Sequence, residues 1–301
     1  MRLAPTLDLL VRVGCRLTYT APAEVPVLLK FKPRMDPAQI VQQERVGLGD
    51  RLPCEEFEDA YGNISYRLML RPGMNEVTHD AVILVPSVAD NFNQGFDQPV
   101  SPGSLPVELL RYTLPSRYCD SDKLMEFAWR EFGRVMPGHA QVRAVCDWIH
   151  ANIEYRFGSG RSDISASDVL ARRHGVCRDF AHCGIAICRA LNLPARYVTG
   201  HLPDIGYVDP GSPMDFHAYF EVYLGGTWFA YDPRYNVPRI GRVKLACGLD
   251  AVDCAFATLY GPAALTYFEV WAYQVPANTV SVGDPIDLSK RLDGSEEVRY
   301  A

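Results

Sequence analysis

Gly225-Gly226 falls between two β-forming runs, Phe216 to Leu224 and Thr227 to Asp232. Two glycines so placed signal a two-residue hairpin, because the turns that match strand twist need backbone angles that side chains resist. Such a loop pairs Leu224 with Thr227 and fixes the register of the whole hairpin. Tyr219 then faces Asp232, and His217 faces Arg234. Paired side chains share a face of the sheet, so His217 and Asp232 become diagonal neighbours with Cβ atoms about 7 Å apart. That separation allows an imidazole–carboxylate hydrogen bond, whereas a slip of one residue would put the two on opposite faces. Pro233 lacks an N–H and is expected to end the ladder just past Asp232.

A second feature lies upstream. In Gly175-Val176-Cys177-Arg178-Asp179-Phe180-Ala181 a cysteine stands between a turn glycine and an amphipathic helical run. A thiol at a helix start feels the positive end of the helix dipole, which favours thiolate. Cys177, His217 and Asp232 follow in an order that supplies a thiol nucleophile, its base and the base's orienting carboxylate. Cysteine is often only a small buried hydrophobe, and Cys183 and Cys188 are read that way.

The rest of the chain reads as two kinds of pattern. Residues 1–112 are expected to form an antiparallel β-sandwich, with strands at Leu17 to Tyr19, Val25 to Phe31, Ile64 to Leu70 and Val77 to Val85 punctuated by Gly and Pro turns. Asn91 to Pro106 reads as a linker. From Asp120 the period becomes helical. Helices are expected from about Asp122 to Phe132, from Ala140 to Asn152, and from a Ser165 or Ser167 cap to Arg173, with Gly175 ending the last. Phe180, Gly184, Ile187, Cys188 and Leu191 mark one buried face of the next helix, stopped before Pro194. Strands follow at Ala195 to His201, in the hairpin, and at Leu265 to Val275. The core is therefore placed at 113–280, with a polar tail at 281–301.

Composition narrows the classes. The net charge of −6 shows no basic stripe for nucleic acid. No apolar run is long enough to span a bilayer, and the first residues do not read as a signal peptide. The nine cysteines are scattered without a CxxC pair, so free thiols and a reducing, cytoplasmic compartment are expected rather than zinc or disulfides.

Four segments in order, Gly175 to Ala181, Leu193 to Gly200, His217 to Val222 and Trp228 to Pro233, resemble the core motifs of the transglutaminase-like superfamily. Asp59 to Asn63 and Leu114 to Tyr118 are similar to the β domain and linker that bacterial members carry ahead of that core. The resemblance implies an α+β protein with a papain-like core, and a Cys177–His217–Asp232 triad working through a thioester. It departs at Gly248-Leu249-Asp250-Ala251, where Gly-Arg-Asp-Ala is expected. No calcium loop of the D-x-D-x-D-G type appears, and no cofactor or metal is expected.

Other side chains carry weaker expectations. His182 points away from the thiol on its helix, and His174 is a solvated helix-end residue. His201 is a candidate for the cleft wall. Asp179 is expected to pair with Arg178 or Arg196, and Trp228 and Tyr231 to pack the hairpin. The loop Pro203 to Asp215 reads as a lid or a long connection. Hydrolysis of a peptide or protein amide is the expected reaction, because water is the default acceptor. Transfer to an amine, and a non-catalytic binding module, are the alternatives; oligomeric state is left open.

Overall fold

The computed structural model describes residues 6–49, 52–90, 97–207 and 213–289. Six strands come first: β1 (Leu9–Ala21), β2 (Val25–Leu29), β3 (Ile40–Gly47), β4 (Cys54–Glu58), β5 (Ile64–Leu70) and β6 (Gly73–Val85). Helices α1 (Met125–Phe132) and α2 (His139–Asn152) follow, then β7 (Glu154–Tyr155), α3 (Ala166–Arg172), β8 (His174–Gly175) and α4 (Cys177–Ala190). The remaining strands are β9 (Ala195–His201), β10 (His217–Leu224), β11 (Thr227–Tyr231), β12 (Val243–Gly248), β13 (Ala257–Leu259) and β14 (Ala264–Gln274). The protein is α+β, with three four-stranded antiparallel sheets and a helical unit among the described residues.

The first six strands, joined by β13 and β14, build two four-stranded sheets, ordered β14-β1-β6-β3 and β13-β2-β5-β4. Alternation drives their packing. Cys15, Leu17 and Tyr19 of β1 meet Val25, Val27 and Leu29 of β2 and Leu68 and Leu70 of β5 in one buried cluster. β1 runs well beyond the short strand expected at Leu17 to Tyr19, because Arg12 does not interrupt it. The buried Arg12 guanidinium donates to Asp80 Oδ1 at 2.9 Å and Oδ2 at 2.8 Å. It also reaches the Pro285 carbonyl at 3.2 Å and the Asp284 carbonyl at 2.6 Å. A buried charge is tolerated when its donors are matched this way.

The expected boundary of the core at residue 280 is corrected by the pairing. β14 lies antiparallel to β1, from Val11 opposite Gln274 to Thr20 opposite Ala264. β13 pairs with β2, Ala257 opposite Leu29. Both close sheets of the sandwich rather than the core. Phe268 and Val270 fill the sandwich interior, and long β1 offers the ladder that β14 needs. The helical unit is thus inserted between the strands of the sandwich.

The core sheet has the order β11-β10-β9-β12. Its fourth strand is β12, which fills the place expected for Leu265 to Val275. α4 crosses this sheet so closely that a Cβ on Gly184 would sit 2.4 Å from a ring carbon of Phe220. The helix is buried on every side from Asp179 to Ala190, not along one face. The two units are stitched by Asn63, whose side chain donates to the Cys247 carbonyl at 2.9 Å and accepts the Cys247 N–H at 2.8 Å. Among the described residues no helix is long and apolar enough to cross a membrane.

Candidate active site

The site is built from the start of α4 and the open end of the β10–β11 hairpin. α3 ends at Arg173, which takes the left-handed conformation at φ 61° in place of the expected Gly175. Gly175 instead makes room, since a Cβ there would lie 2.7 Å from the Asp179 Cβ. That space admits the Asp179 carboxylate, which accepts the Val176 N–H at 3.0 Å and caps α4. Asp179 is held by Arg178 at 2.9 Å and by Arg172 at 3.0 Å. Arg196 pairs instead with Glu221 at 2.6 Å. Cys177 is the first residue of α4 and is half-buried.

The hairpin has the register the two glycines dictate, from Leu224 opposite Thr227 to Phe220 opposite Tyr231. The ladder stops there, one pair earlier than Pro233 alone required. β9 takes over the support of β10, with His217 opposite Gly200. The His217 Nε2 and Asp232 Oδ2 lie 2.6 Å apart, and both residues are buried. The same Asp232 oxygen accepts a hydrogen bond from Arg242 at 3.1 Å. Arg242 in turn donates to Asp90 Oδ2 at 2.7 Å, a residue just beyond β6 of the sandwich.

Cys177 and His217 line one narrow cavity with Tyr155, Phe157, Arg234 and Tyr235. Leu202, Asp204, Pro213, Met214 and Asp215 form its other wall. The stretch expected as a lid is thus a wall at both ends, while residues 208–212 of it lie outside the described residues. Burial pushes the Cys177 thiol up to about 11, opposed by the Arg234 charge and the Ala218 backbone N–H. The thiolate expected from the helix start is therefore corrected to a resting thiol. Burial also holds His217 below its ordinary value despite Asp232, helped by Arg242 and Arg234. Burial would raise Asp232, but His217 and Arg242 outweigh it and hold the carboxyl far below the usual range. The resting state is a neutral thiol, a neutral imidazole and a carboxylate.

Other predicted residues settle elsewhere. His182 is buried, accepts the Ala251 N–H at 3.2 Å and stacks on Tyr118 with ring centres 5.0 Å apart. His201 packs against Phe216 at 5.2 Å and is not part of the cavity wall. His174 is half-buried, its Nδ1 2.9 Å from the Arg172 carbonyl, rather than solvated. Trp228 packs edge-on to Tyr112 at 5.3 Å, and the Tyr231 hydroxyl meets His139 at 2.6 Å. At the departure after the triad, Leu249 contributes its carbonyl to Arg189 at 2.7 Å, and Asp250 accepts the Tyr118 N–H at 2.9 Å. Sequence reasoning missed Tyr155, Arg242 and Asp90. Arg234 carried a usable signal, since it follows Asp232-Pro233 directly. Among the described residues no three His, Cys, Asp or Glu side chains converge to hold a metal.

A sequence model of the transglutaminase-like superfamily matches residues 130–233, which include Cys177, His217 and Asp232. A crystal structure of a candidate cysteine protease from Cytophaga hutchinsonii is 33% identical, with a TM-score of 0.82, over 92% of this chain and 94% of that one. This chain belongs to the transglutaminase-like superfamily. Two uncharacterised mycobacterial proteins are also similar. The Mycobacterium leprae protein is 30% identical over 128 residues, 40% of this chain and 46% of that protein. The Mycobacterium tuberculosis protein is 32% identical over 155 residues, 48% of this chain and 49% of that protein. The matches to these two superfamily relatives span about half their length.

Proposed function

We propose that this protein is a cysteine-dependent acyl-transfer enzyme that cleaves amide or peptide bonds. Cys177 is its nucleophile, His217 its base and acid, and Asp232 the orienting carboxylate. One observation carries this reading: Cys177 shares a narrow cavity with an imidazole already bound at 2.6 Å to a buried carboxylate. A neutral thiol beside a neutral imidazole is competent for general-base attack.

As sulfur bonds to the substrate carbonyl carbon, its proton passes to His217 Nδ1, the ring nitrogen that Asp232 leaves free. Asp232 offsets the imidazolium charge that forms. The tetrahedral oxyanion is met by the Cys177 backbone N–H at the helix start; one such donor is worth about 2.7–4 kcal/mol of barrier. The carbon–nitrogen bond then breaks as His217 returns the proton to the leaving amine, and a thioester remains. Water, deprotonated by His217, attacks the thioester and releases the acid and the thiol.

Cys177→Ala is expected to abolish turnover and leave the circular dichroism spectrum unchanged; an active alanine variant would sink the proposal. Iodoacetamide is expected to label Cys177 faster than the buried cysteines of the folded protein, because His217 takes the thiol proton, and more slowly in His217→Ala; labelling indifferent to residue 217 would favour a binding module. Formation of the free acid against incorporation of an added amine then separates hydrolysis from transglutamination.

A further inference from the structure

Three arginines follow Asp232 beside the site, and two have committed their charge. Arg239 donates to Asp204 at 3.2 Å and to the Pro203 carbonyl at 3.0 Å. Arg242 is shared between Asp90 at 2.7 Å and Asp232 at 3.1 Å. Arg234 differs. Among the described residues its guanidinium makes no hydrogen bond and no ion pair, only aromatic contacts. Its central carbon lies 3.7 Å from the Tyr155 ring centre and 4.5 Å from that of Tyr235. Its backbone is fixed as well, since the Arg234 carbonyl lies 3.1 Å from His150 Nδ1.

Aromatic faces hold a guanidinium in place but use none of its five N–H donors. A pinned, planar fork with open donors suits a carboxylate, which it can grip through two parallel hydrogen bonds. The fork stands in the wall of the cavity that holds Cys177 and His217. Neither acid of that wall makes an ion pair with it. Asp204 serves Arg239, and Asp215 stands beyond ion-pair distance, its carboxyl raised by burial although the Arg234 charge opposes that rise.

We propose that Arg234 anchors a carboxylate carried by the substrate, so that the enzyme takes acidic rather than neutral acyl compounds. This rests on Cys177 being the nucleophile. Binding energy from such an anchor positions the scissile carbonyl over the thiol.

Iodoacetate and iodoacetamide test the anchor without knowledge of the substrate. They alkylate the same sulfur and differ by a carboxylate against a carboxamide. The rate ratio of iodoacetate to iodoacetamide at Cys177, located by mass spectrometry and divided by the ratio for a small free thiol, is expected to exceed unity. Arg234→Gln is expected to lower it about tenfold, and Arg234→Lys, which keeps the charge but loses the fork, to lower it by less. Added salt is expected to erode the wild-type preference, which tests the anchor even if the glutamine variant fails to fold. Labelling of Cys177 that slows in His217→Ala, with a ratio indifferent to both residue 234 and salt, overturns the anchor and leaves the nucleophile standing. Labelling by both reagents that is unchanged in His217→Ala overturns the nucleophile, and the anchor with it. Peptide pairs carrying Glu or Gln before the scissile bond, or a C-terminal acid or amide, then identify the source of the carboxylate. Indifference to both pairs also overturns the anchor.

Discussion

Asp232 answers to two partners at one oxygen, His217 at 2.6 Å and Arg242 at 3.1 Å. The imidazole becomes positive only when protonated, whereas Arg242 is always charged. Arg242 therefore draws on the carboxylate and opposes the imidazolium, which keeps His217 neutral to lower pH. General-base attack needs the neutral ring, so the acid limb of the kcat/KM profile is expected below about 6.5, the ordinary histidine value. Removing the guanidinium reverses the effect. Arg242→Gln is expected to raise the pH of that limb, and of the His217 titration seen by NMR, by about one unit. Arg242→Lys, which keeps the charge, is expected to leave both near their wild-type positions. Equal midpoints in all three proteins would remove Arg242 from this role. The pairing of His217 with Asp232 was legible because the hairpin register is local. Arg242 and Asp90 were not: Arg242 returns to Asp232 through a loop with no readable register, and Asp90 reaches Arg242 from a segment far away in the chain.

At the scale of elements, α4 matters most because it carries Cys177 at one end and lies on β10, which carries His217. Gly184 sits in the middle of that contact. Helix propensity favours alanine over glycine by about 1 kcal/mol. The added methyl would approach Phe220 to 2.4 Å, however, and overpacking typically costs about 1–3 kcal/mol. Packing should win, so Gly184→Ala is expected to lower the stability read from chemical denaturation by a net of about 1 kcal/mol. A more stable variant would show that the two elements separate freely. The helices and the hairpin were readable from their periods and caps. β14 was readable as a strand, but its partner was not: the apolar run from Val270 to Tyr273 is buried without alternation and is silent on which sheet it joins. β1 was underestimated for a related reason, since Arg12 reads as surface until Asp80 is brought beside it.

At the scale of the whole molecule, the sandwich and the core are not beads on a string. β13 and β14, after the core in sequence, complete both sheets of the sandwich. A fragment ending at residue 112 lacks them and leaves the β1 edge open along the length of β14. Such a fragment is expected to stay unfolded or to aggregate, which circular dichroism and size-exclusion chromatography would reveal. A monomeric, cooperatively folding fragment would contradict that dependence. The same return of the chain has a consequence for biosynthesis. The ribosome must deliver residue 274 before the first sheet can be closed, although β1 emerges long before it. Throughout that interval the nascent polypeptide carries Cys177 without the finished scaffold from which Asp90 reaches Arg242. The Asp90–Arg242–Asp232 chain behind the imidazole is thus completed only when translation has passed well beyond the thiol.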